Sequence, residues 1–502
     1  MRLVGVARDA PRPVVFRRKP VTNFFIVLAL LIVIIMIIII LTTNVYNLHY
    51  AKENRMTPTN AQDLLDGLIA KAKARGADAA DAMLVNVTAL SHAERFGKPE
   101  HLERAESRDA GLRVFFGKQQ AVASSNDWDA ASLDEMVDRA IAMARVVPED
   151  PNCGLADPDQ LFQGEAPNLD THDPEEPSAE VLIARAHDAE QAALAVKGVT
   201  NSEGAEASWS NSEVTLAASN GFNATYAISR HGVGVSIVAG EGTEMERDYE
   251  FSSAVYGADL DDSKTVGRAA GERVMKRLNP RKVATTTAPV VFDPRVSHGL
   301  LGHFAGAING SGIARGTSFL KDSMGEQVFT SDITIIDDPH RRRGLRSKPF
   351  DAEGIPNGRR KFVDNGVLTS WVLDLRTARQ LGLKTTGNAS RGVSSAPSPS
   401  LTNFYMEPGT LSREALIGEI ENGFYVTELM GFGISGLTGD YSRGAAGFWI
   451  ENGKITYPVS EITIASNLKD MYLDLTAADD LAFRYGSNAP TLRIGSMTIA
   501  GE

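Results

Sequence analysis

The sequence predicts an α+β protein, with N-terminal and middle α+β domains followed by a β-rich C-terminal domain. Three observations carry this expectation. Amphipathic helical stretches alternate with strand patterns up to about residue 280. From residue 286 onward, short strand-like runs are broken repeatedly by glycine and proline turns. Finally, 43% of the 502 residues are hydrophobic and 23% are charged, an ordinary balance for a chain with well-buried cores. The formal net charge of −12 gives no overall field that would attract nucleic acid. Cys153 is the only cysteine, which excludes an internal disulfide, a Cys-x-x-Cys redox pair and any multi-cysteine metal site.

Residues 1–55 read differently from the rest. Arg2, Arg8, Arg12, Arg17, Arg18 and Lys19 precede an uninterrupted apolar run at residues 24–41. At about 1.5 Å per residue this run nearly covers a hydrocarbon core of roughly 30 Å. No small-x-small cleavage site follows it, and the charge asymmetry places the N-terminus inside and the body outside. A second reading stands beside this one. Met56 opens Thr-Pro-Thr-Asn and a clean amphipathic helix, as the start of a soluble protein would, and the isoleucine-rich run contrasts with an alanine-, glycine- and arginine-rich body. Residues 1–55 are therefore an anchor or a mis-assigned start. The first reading implies an inner-membrane location and the second a cytoplasmic one.

The elements follow in order. Leu64, Leu65, Leu68, Ile69 and Ala72 share one face of a helix that stops at Gly76. Met83, Val85 and Val87 alternate as a strand, and residues 111–123 read as a further strand pair. Ser132-Leu-Asp-Glu135 reads as a capping box for a helix that turns Leu133, Met136, Val137, Ala140 and Ile141 inward. These make a first domain at residues 56–150. Residues 147–177, rich in proline and acid, are a connector. Ser178 caps the next helix, strands at 212–218, 222–229 and 232–238 surround an Asn220-Gly221 turn, and a helix at 263–278 closes a middle domain at residues 172–282. The C-terminal domain occupies residues 286–502.

Few motifs survive inspection. Gly431, Gly433 and Gly436 fit the spacing of a dinucleotide fingerprint, but too many glycines follow for the helix that motif needs. The run reads instead as tight turns in a β-rich region. His340, Arg341, Arg342, Arg343, Arg346 and Lys348 form a basic cluster that reads as a solvated loop. The segment at residues 293–308 carries two of the nine histidines, His298 and His303, with Leu300, Leu301, Phe304 and Ile308 on one helical face. Five residues apart, the histidines diverge by about 140° around a helix axis, whereas an i, i+4 pair diverges by about 40°. Helical spacing alone does not converge them on one ion.

Several longer stretches resemble the TldD/PmbA family, and its PmbA (TldE) branch in particular. They are Gly436-Leu-Thr-Gly-Asp440-Tyr441-Ser-Arg443-Gly-Ala-Ala-Gly-Phe448-Trp449, Pro458-Val-Ser-Glu461, Ser318-Phe-Leu320, Pro349-Phe-Asp-Ala-Glu353-Gly, Thr386-Gly-Asn-Ala-Ser-Arg391-Gly and the terminal Pro490-Thr-Leu-Arg-Ile-Gly. The resemblance implies a C-terminal domain of the TldD/PmbA type and membership of a heteromeric metalloprotease that processes or degrades small or unfolded polypeptides. It also brings an older family label, modulator of DNA gyrase. In such an assembly a TldD-like subunit holds zinc through a His-Glu-x-x-x-His helix and a later cysteine, with the glutamate as base.

Carried over residue by residue, His298 and His303 fall on the two histidine positions, Gly299 replaces the glutamate, and no cysteine lies near the C-terminus. A catalytic zinc normally takes three protein ligands and a water. The implied cofactor is thus none in this chain, with zinc in a TldD-like partner, and proteolysis belongs to the pair. Asp440, Tyr441 and Arg443 are the candidate substrate-binding residues, offering a cation for a carboxylate and a phenol for stacking, with turn-building as their other reading. The missing base would have to be replaced by a carboxylate from elsewhere, for which Asp293, Asp337 and Asp338 are the candidates. Two further functions stay open: a membrane-tethered, non-catalytic binding or scaffold protein, and a self-sufficient metallopeptidase using His298, His303 and an unrecognised ligand.

Overall fold

Strands β1 (Ala79–Arg95), β2 (Lys98–Phe116), β3 (Gln119–Ser125), β4 (Val199–Ala218), β5 (Asn223–Ala239) and β6 (Glu246–Ala254) form one antiparallel sheet in the order β3-β2-β1-β4-β5-β6. The computed structural model describes residues 58–502, so the apolar run at 24–41 lies outside the described residues. Among those residues no helix is long and apolar enough to cross a membrane. Ala61–Glu502 is one unit.

The sheet crosses from the first segment into the middle one. β1 pairs with β2 along its whole length and with β4 from Asp81↔Ala218 to Glu94↔Ala205. Four helices cover one face. α1 (Pro58–Ala74) and α2 (Ala130–Ala144) lie over the first three strands, where Leu65, Leu68, Leu133, Met136 and Val137 meet Leu84, Leu112 and Val114. α3 (Ala179–Leu194) and α4 (Ser263–Arg277) bury Leu182, Ala186, Ala189, Val266, Ala270 and Val274 against Ala207, Trp209, Val235 and Ile237. These two helices approach closely because their contact is alanine and glycine. A Cβ on Gly267 would stand 2.0 Å from the Ala189 carbonyl oxygen, so only glycine fits.

Expected and observed elements differ in instructive places. α2 begins at Ala130 and its cap is Asp129, which accepts from the backbone N–H groups of Ala131 and Ser132 at 2.8 and 2.9 Å. The expected Ser132 cap is thus displaced, and the Ser132 hydroxyl donates to Asp127 instead. The strand at 212–218 is the apolar last third of β4, and the one at 83–87 is an inner stretch of the much longer β1. The first half of β2, Lys98–Ser107, is exposed and carries no alternation to read. The basic cluster is also more than a solvated loop. Arg343 pairs with Asp170 at 2.7 Å and Asp259 at 2.8 Å, and Arg341 stacks on Phe483, 3.3 Å from its ring centroid. The partners lie far off in sequence, so the loop alone could not reveal them.

The opposite face of the sheet holds the connector and part of the C-terminal segment. Met83, Val214, Leu216 and Phe222 pack with Ala156, Leu161, Phe350, Ile355 and Leu375. At the centre Asp81 is buried between two guanidiniums: Arg113 Nε donates to it at 3.0 Å and Arg391 Nη1 at 2.5 Å. Burial pushes the Asp81 carboxyl up, and the two cations more than reverse this, leaving it below the usual carboxylate range. Backbones meet tightly here, since a Cβ on Gly111 would lie 1.9 Å from the Val393 carbonyl oxygen.

The C-terminal segment builds a second sheet from β7 (Thr286–Phe292), β8 (Asn422–Ile434), β9 (Asp440–Glu451), β10 (Lys454–Asn467), β11 (Leu475–Ala477) and β12 (Leu492–Ala500), in the order β10-β9-β8-β7-β12-β11. An additional β10–β12 pairing closes five of these strands into a ring. β7 and β8 are parallel and pair only through Phe424–Val426, so β8 continues beyond its neighbour with β9 alone beside it.

Two outcomes test this account. Asp81→Ala strands two buried cations, so urea unfolding should show a loss of about 3–5 kcal/mol; a loss under about 1 kcal/mol would remove Asp81 from its central place. The nearby Glu353 carboxyl, raised by burial and then by the Asp351 charge to about 8, sets a pH dependence. Its contribution is fully present below the ordinary glutamate value of 4.5 and is lost as pH rises toward 8. Glu353→Gln should therefore flatten the fall in melting temperature between those pH values, and an unchanged slope would contradict this assignment.

Candidate functional site: the α5 groove

β7 feeds directly into α5 (Pro294–Ala307). Asp293 caps it, accepting from the Arg295 N–H at 2.9 Å, and Pro294 occupies the first turn, where its missing N–H is harmless. The Tyr425 hydroxyl donates to the other Asp293 oxygen at 2.6 Å. Ser297, Leu300, Leu301, Phe304 and Ala307 are buried, as is Ile308 just after the helix. Phe304 packs edge-on against Phe329 and Tyr472, with ring centroids at 5.0 and 6.0 Å. The expected apolar face is therefore the observed one.

The other face carries His298, Gly299, Gly302, His303 and Gly306. His298 lies against Tyr485, with ring centroids 4.6 Å apart and planes tilted by 32°. It lines a cavity of about 460 Å³ together with Gly299, Arg277, Glu428, Leu429 and Arg443. His303 faces Tyr441 edge-on at 6.0 Å and lines a different cavity, of about 430 Å³, with Gly302, Gly306 and Arg315. The structure thus sends the two imidazoles into separate spaces. Burial lowers the pKa of each, and the Arg443 charge lowers that of His303 further. A neutral imidazole is the metal-binding form, but among the described residues no three His, Cys, Asp or Glu side chains gather around a common point. The donor set around α5 falls short of a catalytic zinc site. A Cβ on Gly299 would meet nothing within 4 Å, so the position tolerates a side chain but carries none.

The candidate acids are occupied elsewhere. Asp293 is the cap. Asp337 is buried, accepting from Thr402 N–H at 2.7 Å and Asn388 Nδ2 at 2.9 Å, and burial raises its carboxyl. Asp338 accepts from the His340 N–H. Of the three candidate substrate residues, strand alternation brings Tyr441 and Arg443 to the α5 side and turns Asp440 away. Asp440 accepts from Thr438 Oγ1 at 2.6 Å and Asn467 Nδ2 at 3.2 Å, holding the hairpin turn. Tyr441 is 1% exposed and its hydroxyl has no hydrogen-bond partner among the described residues. Arg443 donates to the Met430 carbonyl at 3.1 Å and borders the His298 cavity. The glycine run at 431–436 lies at the β8–β9 hairpin, in a β-rich setting as read from the sequence.

Sequence reasoning missed a polar network that walls the groove. Arg277 reaches Glu246, Asp248 and Glu428, and Arg295 Nη2 donates to Asp248 at 2.7 Å. These contacts cross between distant segments, so no local pattern announces them.

The segments of this fold correspond to the domains of one metallopeptidase family. Family models described as PmbA/TldA metallopeptidase match the C-terminal domain at residues 285–501, the central domain at 172–278 and domain 1 at 95–144. The chain belongs to the PmbA/TldD family. It is 39% identical over 427 residues to "Metalloprotease PmbA" of Escherichia coli O157:H7, covering 85% of this chain and 93% of the relative. It is 35% identical over 426 residues to "Metalloprotease PmbA homolog" of Haemophilus influenzae, covering 84% and 92%. A Bacteroides thetaiotaomicron crystal structure, described as a modulator of DNA gyrase, superposes with TM-score 0.81 at 28% identity, covering 89% of this chain and all of that one. TldE from Thermococcus kodakarensis shares the fold with TM-score 0.78 at 21% identity, covering 87% of this chain and 100% of that one.

The effect of the Arg443 charge on His303 is testable by NMR. His303 should titrate below the ordinary value of 6.5, and Arg443→Met should move its midpoint upward because one source of repulsion is gone. A midpoint that stays in place would separate the two groups.

Proposed function

We propose that this chain is the PmbA/TldE-like, metal-free subunit of a heteromeric metalloprotease, acting with a TldD-like subunit that carries the zinc. The observation behind this reading is the α5 helix, which keeps both histidine positions but directs them into different cavities, with Gly299 where a base would stand. Relatives named "Metalloprotease TldD homolog" from Buchnera aphidicola match part of this chain, at 29% and 27% identity over 245 and 229 residues. The proposed partner is therefore a protein of related fold.

In this reading a zinc held by the partner would supply Lewis-acid chemistry, while this chain shapes and lines the cleft. The substrates are small or unfolded polypeptides, and peptide maturation is one use of such trimming. β8 beyond Val426 has β9 on one side only, which leaves a strand edge where a peptide's main chain can hydrogen-bond with little side-chain preference. The assembly works in the cytoplasm. It binds no nucleic acid directly, in keeping with the net charge of −12 and with an arginine cluster engaged by Asp170, Asp259 and Phe483.

Affinity purification from the native source tests the reading. A co-purifying chain bearing His-Glu-x-x-x-His, with zinc on that chain and substoichiometric zinc on this one, is the expected result. His303→Ala should leave peptidase activity of the pair within about threefold, whereas loss of a positioned general base in the partner typically removes about 10²–10⁴. A hundredfold loss in His303→Ala with the fold intact, or stoichiometric zinc on the isolated chain, would overturn it.

A further inference from the structure

We propose that a basic cavity at the N-terminal end of the α5 groove anchors the free C-terminal carboxylate of a bound peptide, through Lys276 and Arg413. The inference rests on the peptide-cleft reading above and deepens it by assigning one end of the ligand.

The cavity has a volume of about 670 Å³ and lies between α4, the start of α5 and β8 at Tyr425 and Thr427. Four cations and two carboxylates line it, and most are already engaged. Arg295 donates to Asp248 at 2.7 Å and stacks on Tyr249, while Arg273 pairs with Glu250. Asp293 caps α5 and accepts from Tyr425. Two cations remain available. Lys276 is exposed and forms no ion pair among the described residues. Among the described residues Arg413 forms one ion pair, with its own neighbour Glu414 at 3.2 Å; that carboxylate is 75% exposed, and Asp293 acts on Arg413 through its charge across the cavity. An anion entering here meets two positive groups without displacing a buried partner.

The surroundings favour a peptide end over a small inorganic anion. Phe448 and Ile455 give the same cavity an apolar wall suited to a side chain. Asp248, Arg295 and Thr427 also line the cavity that holds His298, so the two spaces adjoin along β8. A peptide that pairs antiparallel with the free edge of β8 runs from the Ile434 side toward Thr427. Its last residue then arrives at the cations, and its carboxylate takes charge-assisted hydrogen bonds from them.

Fluorescence anisotropy on the purified chain, without a partner, is the test. The probe is an apolar pentapeptide labelled at its amino end, prepared once with a free C-terminal carboxylate and once as the amide. The free acid should bind about tenfold more tightly, the weight of hydrogen bonds to a charged group. Lys276→Gln and Arg413→Gln should each reduce that preference and together abolish it, with thermal unfolding unchanged. Lys276 is exposed, so its substitution tests the idea even if Arg413→Gln fails to fold. Equal binding of acid and amide, no binding of either, or stronger displacement by inorganic phosphate than by an acetylated dipeptide acid would each overturn the proposal. Because no proteolysis is read, such a failure is distinct from a failure to find a zinc-bearing partner.

Discussion

Asp81 lies between Arg113 and Arg391, and with it the two halves of the molecule are joined. Arg113 comes from the strand beside Asp81 and Arg391 from the C-terminal segment, more than three hundred residues away. A carboxylate in that position is held ionised against burial only because both cations are present. An apolar trio could fill the same volume, but it would lack the directional demand that sets the C-terminal segment in one orientation on the sheet. Around this joint, Glu353 accepts from the Leu375 N–H at 2.8 Å and Asp351 accepts from Ile355 and Ala389, so the surrounding loops are fixed by the same polar layer.

The α5 groove depends on that orientation. Its floor is the apolar face of a helix launched by β7, and its far wall comes from β6 and α4, through Asp248 and Arg277. The floor belongs to the C-terminal segment and the wall to the middle one. Wall and floor are also tied to each other directly, by Arg277 to Glu428 and by Arg295 to Asp248. The helix contributes position and shape, while the charges around it come from elsewhere.

How much was legible in the sequence follows from the range of the interactions. The buried face of α5 was readable because helical periodicity is local, and the divergence of His298 and His303 followed from the same geometry. The resemblance carried by residues 436–449 and 386–392 reached the family. Asp129 was overlooked as a cap because Ser132-x-x-Glu135 is the better-known pattern and the two overlap. The long strands were recognised only where apolar residues alternate, since the outer half of β2 pairs through its backbone while its side chains face water. Lys276, Arg413 and the Arg277 network had no signal at all, because each acquires its meaning from a partner or cavity wall in another segment.

The order of strands in the first sheet has a consequence for synthesis. β1 is the third strand of six, and its inner edge is covered by β4, which ends about 120 residues later in the chain. On a ribosome making about 5–20 residues per second, that edge stays open for on the order of ten seconds. Until then the nascent chain holds β1, β2 and β3 with a bare row of backbone donors and acceptors on β1 in addition to the edge that β3 keeps in the finished sheet, an arrangement prone to pairing with the wrong strand. The match boundary near residue 144 is therefore a boundary of sequence rather than of folding. The first stretch becomes a finished piece only when the second has been made.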